Sequence, residues 1–287
     1  MTPFREGRVD TRAYASLVDR QVSSGVDFLV ALATTSETPA LSPEEKVELL
    51  QITNAHSAGR PVVVGCGSNS VASTLSNMSL LESCGVDAWL VVVPFYNKPT
   101  QEGMYRYFKE IASSTSKPVI LYNVPGRTGV NMSAGTCLRL ACDVGNIVAV
   151  KEASGRMDQI REILAGAPEG FDVLSGDDDL TLEMMRYGAS GVISVASNLV
   201  PDKVSKMCRC ALAASSKADF DSDWMCASDI NASLSPLFKA CFIESNPIPV
   251  KAGLAELGLC SAEMRLPLTE ATRKTKSIME ELLSKIR

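Results

Sequence analysis

Seven short apolar runs, each closed by polar or turn-forming residues and separated by stretches of helical spacing, constrain this chain more than any other feature. They lie at residues 26–32, 61–65, 87–93, 118–122, 147–151, 171–175 and 191–195, so strand and helix alternate with a period of roughly 20 to 35 residues. Nearly every run is unbroken rather than alternating in and out, which is the pattern of a parallel strand covered by helices on both faces. A doubly wound sheet would read the same way, but no G-x-G-x-x-G fingerprint follows the first run and no P-loop occurs. The count points to an α/β fold, a TIM (β/α)8 barrel over residues 1–200. After Val195 only helices are expected, at about 202–214, 222–244 and 269–286, forming a C-terminal helical region over 201–287.

Two helix starts are explicit. Asp10 is placed to cap a helix at 11–23, and Ser42-Pro43-Glu44-Glu45 is a capping box with proline in the first turn. The eighth strand should precede the first of these helices, where only Met1-Thr2-Pro3-Phe4 stands. The barrel is therefore expected to lack most of its first strand. Either the natural start lies upstream, or the barrel is incomplete with unpaired strand edges.

Composition excludes several function classes. The 287 residues are 46% hydrophobic and 21% charged with a net charge of −5. A basic stripe with interleaved aromatics is missing, so nucleic acid is not an expected partner. Neither a membrane span nor a signal peptide can be read, and a cytoplasmic location is the expectation. The nine cysteines are scattered through apolar or helical stretches, as reduced core residues are. Cys208 and Cys210 have poor zinc spacing. With His56 the single histidine, multi-histidine zinc sites are excluded, and its place at a polar helix end reads as structural. No metal and no cofactor are expected.

In barrels of this class reactive groups sit at the C-terminal ends of the strands. Those ends carry Thr34 and Thr35, Gly65, Pro94-Phe95-Tyr96, Tyr122, Lys151, Gly176-Asp177 and Ser194, and Lys151 is the only lysine among them. An ammonium beside an apolar core loses hydration, and a neutral amine there is a nucleophile toward carbonyls. The bland alternative is a strand-end lysine that reaches solvent or pairs with Glu152. Tyr122 ends the preceding strand, so its hydroxyl is a candidate partner of the amine; its bland reading is a core-edge tyrosine. Thr34 and Thr35 could equally cap a turn, Tyr96 could be a surface aromatic, and Arg127 a solvated charge. Amine and hydroxyls together point to Schiff-base chemistry.

Seven segments then carry a resemblance. They are Thr34-Thr35-Ser36-Glu37, Pro94-Phe95-Tyr96-Asn97-Lys98-Pro99, Leu121-Tyr122-Asn123-Val124-Pro125-Gly126-Arg127-Thr128-Gly129, Val150-Lys151-Glu152-Ala153, Leu174-Ser175-Gly176-Asp177-Asp178, Gly191-Val192-Ile193-Ser194-Val195 and Asn246-Pro247-Ile248-Pro249-Val250-Lys251. In this order they resemble the dihydrodipicolinate synthases of the pyruvate-dependent class I aldolase superfamily, along essentially the whole chain. The resemblance implies a lyase of lysine and diaminopimelate biosynthesis that condenses pyruvate with aspartate 4-semialdehyde. It implies that Lys151 forms the imine, that Tyr122 relays protons beside it, and that Thr34 links Tyr122 to a Tyr96 contributed across a tight dimer of a homotetramer. It further implies that Thr35, Gly176 and the backbone around Ile193 position pyruvate, while Arg127 holds the carboxylate of the second substrate. A lyase of the N-acetylneuraminate type and a keto-acid-binding barrel without turnover are the alternatives.

Two departures from the family pattern matter. Ala33 and Ser36 replace glycines, which is harmless if the backbone there avoids positive φ. Pro43, Lys46, Ser73 and Phe95 occupy positions that form the effector pocket of lysine-inhibited members. Lys46 would repel a cationic effector, so weak or absent feedback by lysine is expected.

Overall fold

The computed structural model describes residues 1–216 and 220–286; residues 217–219 and 287, which fall within the helical region expected over 201–287, lie outside the described residues. Among the described residues nine strands are formed: β1 (Phe4–Arg5), β2 (Arg8–Val9), β3 (Leu29–Ala31), β4 (Val62–Gly65), β5 (Ala88–Val92), β6 (Val119–Asn123), β7 (Ile147–Glu152), β8 (Asp172–Ser175) and β9 (Gly191–Val192). The last seven make one sheet in the order β3-β4-β5-β6-β7-β8-β9, each beside its sequence neighbour. Pairing is parallel from β4 through β9. This is the α/β arrangement of a (β/α)8 barrel without its first strand, followed by C-terminal helices.

All seven expected runs are strands of that sheet, although the first and last are shorter than their apolar stretches. The segment in the place of the missing strand forms a hairpin instead. Phe4 pairs with Val9 and Arg5 with Arg8, antiparallel. Glu6 and Gly7 between them have φ of 51° and 76°, the left-handed backbone that a two-residue hairpin loop requires.

The chain divides into two compact units, Met1–Val62 with Ser194–Arg287, and Val63–Ile193. The second unit is continuous in sequence. It holds the strands from β4 to β9, and helices Val71–Leu81, Gln101–Ser113, Ala134–Asp143, Met157–Gly166 and Thr181–Arg186 follow them in turn. Its strands are apolar and buried because both faces are covered: Val63, Val64, Trp89, Leu90, Val91, Val119, Leu121 and Val150 are all at or below 4% exposure.

The first unit is discontinuous. Asp10 caps helix Thr11–Ser23 by accepting from the Ala13 N–H. Ser42 and Glu45 close a reciprocal capping box on helix Pro43–His56, as the sequence indicated. His56 bonds the Asp19 carboxylate at 2.8 Å on the surface, in keeping with a structural role. The C-terminal helices are Pro201–Ser216, Phe220–Ala240, Ile248–Glu256 and Arg273–Ile286. The third of these was not expected. Ile248, Pro249, Val250, Lys251, Ala252, Gly253 and Leu254 are all buried, and a helix buried all round shows no amphipathic period to read. A Cβ on Gly253 would stand 2.8 Å from the Leu199 side-chain tip and 2.9 Å from that of Met279, so the glycine lets this helix pack closely against both without displacing them.

Candidate active site

In the second unit, the adjacent strands β6 and β7 end level with each other. Tyr122 is the register partner of Lys151, and Asn123 of Glu152. Side chains alternate across a pleated sheet, so the first pair stands on one face and the second pair on the other. Lys151 is 5% exposed, which excludes the solvent-reaching reading. Its Nζ lies 4.4 Å from the centroid of the Tyr122 ring. The amine is thus placed over the ring face, where the π-electrons attract a cation.

Glu152 does not serve as the counter-ion of Lys151. Its carboxylate accepts from Asn123 Nδ2 at 3.0 and 3.2 Å and from the Ser154 N–H at 2.7 Å. Asn123, fully buried, also accepts from the Met132 N–H through Oδ1 and donates to Asn131. Burial raises the Glu152 pKa, and hydrogen bonds from Ser154 and Asn123 oppose that rise. This polar lattice ties β6 to β7 at the rung next to Tyr122 and Lys151. A one-residue slip would invert both faces, so the tie fixes which side chains share the amine's face.

The next strand closes over the lysine stem. The Gly176 N–H donates to the Glu152 carbonyl at 2.8 Å. A Cβ at this position would meet Ala153 Cβ at 2.5 Å and Lys151 Cε at 3.1 Å. Glycine is needed here for close approach rather than for an unusual φ. Asp177 follows, its pKa pushed up to about 6 by burial first and then by Asp179, while Lys151 pulls it down. Ile193 donates its N–H to the Ser175 carbonyl at 2.9 Å and so continues the pairing of β9 with β8.

Two further residues expected at the site are held by loops of this unit. Arg127 lies in the short helix Pro125–Thr128 directly after β6, which ends on Gly129 at φ 72°. Tyr96, in the loop after β5, is 88% exposed with φ 72°, a conformation that bulky residues adopt rarely. Phe95 beside it is 39% exposed.

Thr34 and Thr35 belong to the first unit, in the 3-10 turn Thr34–Ser36. Positive φ in this segment falls not on Ala33 or Ser36 but on Leu32 at 54° and Glu37 at 52°. Ala33 has φ −92°, so its side chain is accommodated. Behind the turn, Glu37 is ion-paired to Lys251, both side chains being at or below 1% exposure. Lys251 also donates to the Glu263 carbonyl at 3.0 Å and lies 4.3 Å from the Phe4 ring centroid. Its pKa is lowered by burial and supported by Glu37. Asn246 Nδ2 donates to Thr35 Oγ1 at 3.0 Å.

Lys151, Tyr122 and Gly176 are thus brought together. The second-unit lattice of Asn123, Glu152 and Asn131, which Gln159 extends by accepting from Asn131 Nδ2 at 2.7 Å, and the first-unit contacts of Asn246 and Lys251, were not read as site features. Asn123, Glu152, Asn246 and Lys251 lie within the segments that carry the resemblance, but nothing in those segments marks which polar residues tie the backbone of the site.

Comparison with known proteins gives concordant findings. The model of the Dihydrodipicolinate synthetase family matches residues 1–286. A 4-hydroxy-tetrahydrodipicolinate synthase of Aquifex aeolicus is 43% identical over 99% of this chain and 95% of its own length. One of Azobacteroides pseudotrichonymphae is 46% identical over 99% and 94%. Among solved structures, dihydrodipicolinate synthase of Thermotoga maritima superposes with a TM-score of 0.95 at 39% identity, covering 99% of this chain and 95% of that one. The chloride-inhibited enzyme of Acinetobacter baumannii, complexed with pyruvate, gives 0.93 at 37% identity, covering 99% and 96%.

Proposed function

The chain belongs to the Dihydrodipicolinate synthetase family, and from that premise we propose how its own residues divide the work of condensing pyruvate with L-aspartate 4-semialdehyde to 4-hydroxy-tetrahydrodipicolinate. The protein is a lyase of lysine and diaminopimelate biosynthesis. The observation that carries the assignment of roles is the buried Lys151 amine at the end of β7, over the Tyr122 ring.

Lys151 Nζ attacks the ketone of pyruvate, and loss of water gives the iminium. The iminium withdraws electrons from the adjacent methyl group, which loses a proton to form the enamine. The enamine carbon then attacks the aldehyde of the second substrate. Finally the amine of that substrate displaces Lys151 and closes the ring, which frees the lysine for another turnover. Tyr122, the register partner of Lys151, passes protons in these steps. Gly176 lets the β8 loop close down on the lysine stem, which limits the positions Nζ can sample. Arg127, on a turn fixed directly to the end of β6, supplies the guanidinium for the carboxylate of the second substrate. Thr34, Thr35, Tyr96 and Ile193 take the roles that the family resemblance implies.

Quaternary structure follows the same reading. Phe95 and Tyr96 expose large aromatic surface on one loop, as side chains that complete a tight-dimer contact would. The assembly proposed is a homotetramer of such dimers, and light scattering on the purified protein measures it. No helix among the described residues is long and apolar enough to cross a membrane, and a cytoplasmic location is proposed with the biosynthetic role.

Borohydride reduction in the presence of pyruvate, followed by peptide mass mapping, tests the central assignment. One reduced pyruvate on Lys151 is expected. An adduct on another lysine, such as the buried Lys251, or no adduct at all, overturns it.

A further inference from the structure

The segment Asn246-Pro247-Ile248-Pro249-Val250-Lys251 has no part in the chemistry above, yet it grips the Thr34–Ser36 turn at two points. Lys251 holds Glu37, and Asn246, 4% exposed, donates from Nδ2 to Thr35 Oγ1 at 3.0 Å. The Thr2 hydroxyl adds a third tie, donating to the Ser36 carbonyl at 2.7 Å. The backbone of the turn is therefore fixed by its neighbours, and what Asn246 contributes separately is the state of one hydroxyl.

A carboxamide nitrogen carries two N–H donors and no available lone pair. Facing it, Thr35 Oγ1 can only accept, so its own proton must be offered to a different acceptor. Thr35 is half-buried, which leaves that proton available outside the turn. We propose that Asn246 is a positioning residue that orients the Thr35 hydroxyl as a fixed donor to the carboxylate of the α-keto acid substrate. The inference rests on the reading above that Thr35 contacts pyruvate. A hydroxyl already aimed at the anion does not lose rotational freedom on binding, and donation from Asn246 polarises it toward giving its proton.

The test uses an isosteric reversal. In Asn246→Asp the carboxylate keeps the shape and the tie but accepts from Thr35, so the donor to substrate is removed. KM for pyruvate is expected to rise roughly ten- to a hundred-fold, the range for a hydrogen bond to a charged group. KM for aspartate 4-semialdehyde should stay near the wild-type value. The ratio of variant to wild-type KM should fall as the pH is lowered, because the introduced carboxyl, once protonated, can again donate to Thr35. In Asn246→Ala the hydroxyl rotates freely, and a smaller rise, roughly three- to ten-fold, is expected; this variant carries the test if the aspartate variant does not fold.

Thr35→Val separates the inference from the reading beneath it. If Thr35→Val leaves KM for pyruvate unchanged, Thr35 does not bind the keto acid and both fall. If Thr35→Val raises KM but Asn246→Asp does not, or if Asn246→Asp has the same effect with valine at 35 as with threonine, the positioning role alone is overturned. Loss of the Asn246→Asp effect in the valine background is the result that supports it.

Discussion

Lys151 and Lys251 are both lysines with almost no solvent exposure, and they sit in opposite chemical situations. Lys251 is enclosed by groups that attract a positive charge and oppose the lowering of its pKa by burial: the Glu37 carboxylate, the Glu263 carbonyl and the Phe4 ring face. Lys151 meets a ring face and the more distant field of Asp177, while the neighbouring Glu152 turns away into its own lattice. Burial alone therefore does not make an amine reactive. What differs is the company each amine keeps: a carboxylate and a carbonyl take up the hydrogens of Lys251, whereas Lys151 is set over a ring face at the end of a strand.

The largest expected effect removes one lysine and leaves the other. Lys151→Met should give no turnover above background and no borohydride adduct with an unchanged melting temperature, whereas Lys251→Met should still form the adduct wherever it folds. A folded Lys251→Met protein that cannot trap pyruvate would break the distinction. Next comes Gly176→Ala. Its methyl group would enter the space of Lys151 Cε and Ala153 Cβ, and kcat is expected to fall by up to about a hundred-fold through misplacement of the amine. Normal turnover in that variant would show that the lysine stem is not confined there.

The structural lysine has its own signature. Removing Glu37 or Lys251 singly leaves a buried charge unmatched, at a cost of about 3–5 kcal/mol. Replacing both by well-packed apolar residues should recover most of that loss in chemical denaturation. If the double replacement is as unstable as either single one, the pair contributes more than mutual charge compensation.

A smaller effect concerns Asp177, whose folded pKa of about 6 lies above the ordinary value of 3.8. A carboxyl with a raised folded pKa binds more protons folded than unfolded between those values, so stability declines as the pH rises through that window. The melting-temperature difference between wild type and Asp177→Asn should therefore fall as the pH rises from about 4 through 6, and level off about one pH unit above the folded pKa. Parallel curves would remove Asp177 from the electrostatics around Lys151. The smallest expected effect involves free lysine: with Pro43, Lys46, Ser73 and Phe95 at the effector positions, titration calorimetry should detect no micromolar binding.

The sequence made some of these features legible and concealed others for physical reasons. Parallel strands buried on both faces cannot avoid being apolar runs, so all seven could be found, and a lysine ending one of them stood out. Helix Ile248–Glu256 is buried on every side and has no polar face to mark its period. Asn123 and Glu152 looked like ordinary strand-end polarity, because their meaning depends on a register between two strands. Asn246 lies 211 residues from Thr35, and no local pattern signals a contact over that distance.

That separation also orders events during synthesis. The unit holding Lys151 and Tyr122 is one continuous stretch, complete once residue 193 has left the ribosome. The threonine turn emerges far earlier, but its partners Asn246 and Lys251 are made more than two hundred residues later. A nascent chain can thus build the strand rung that carries the nucleophile well before the turn proposed to receive the keto acid is locked, and functional maturation waits on the last quarter of the polypeptide.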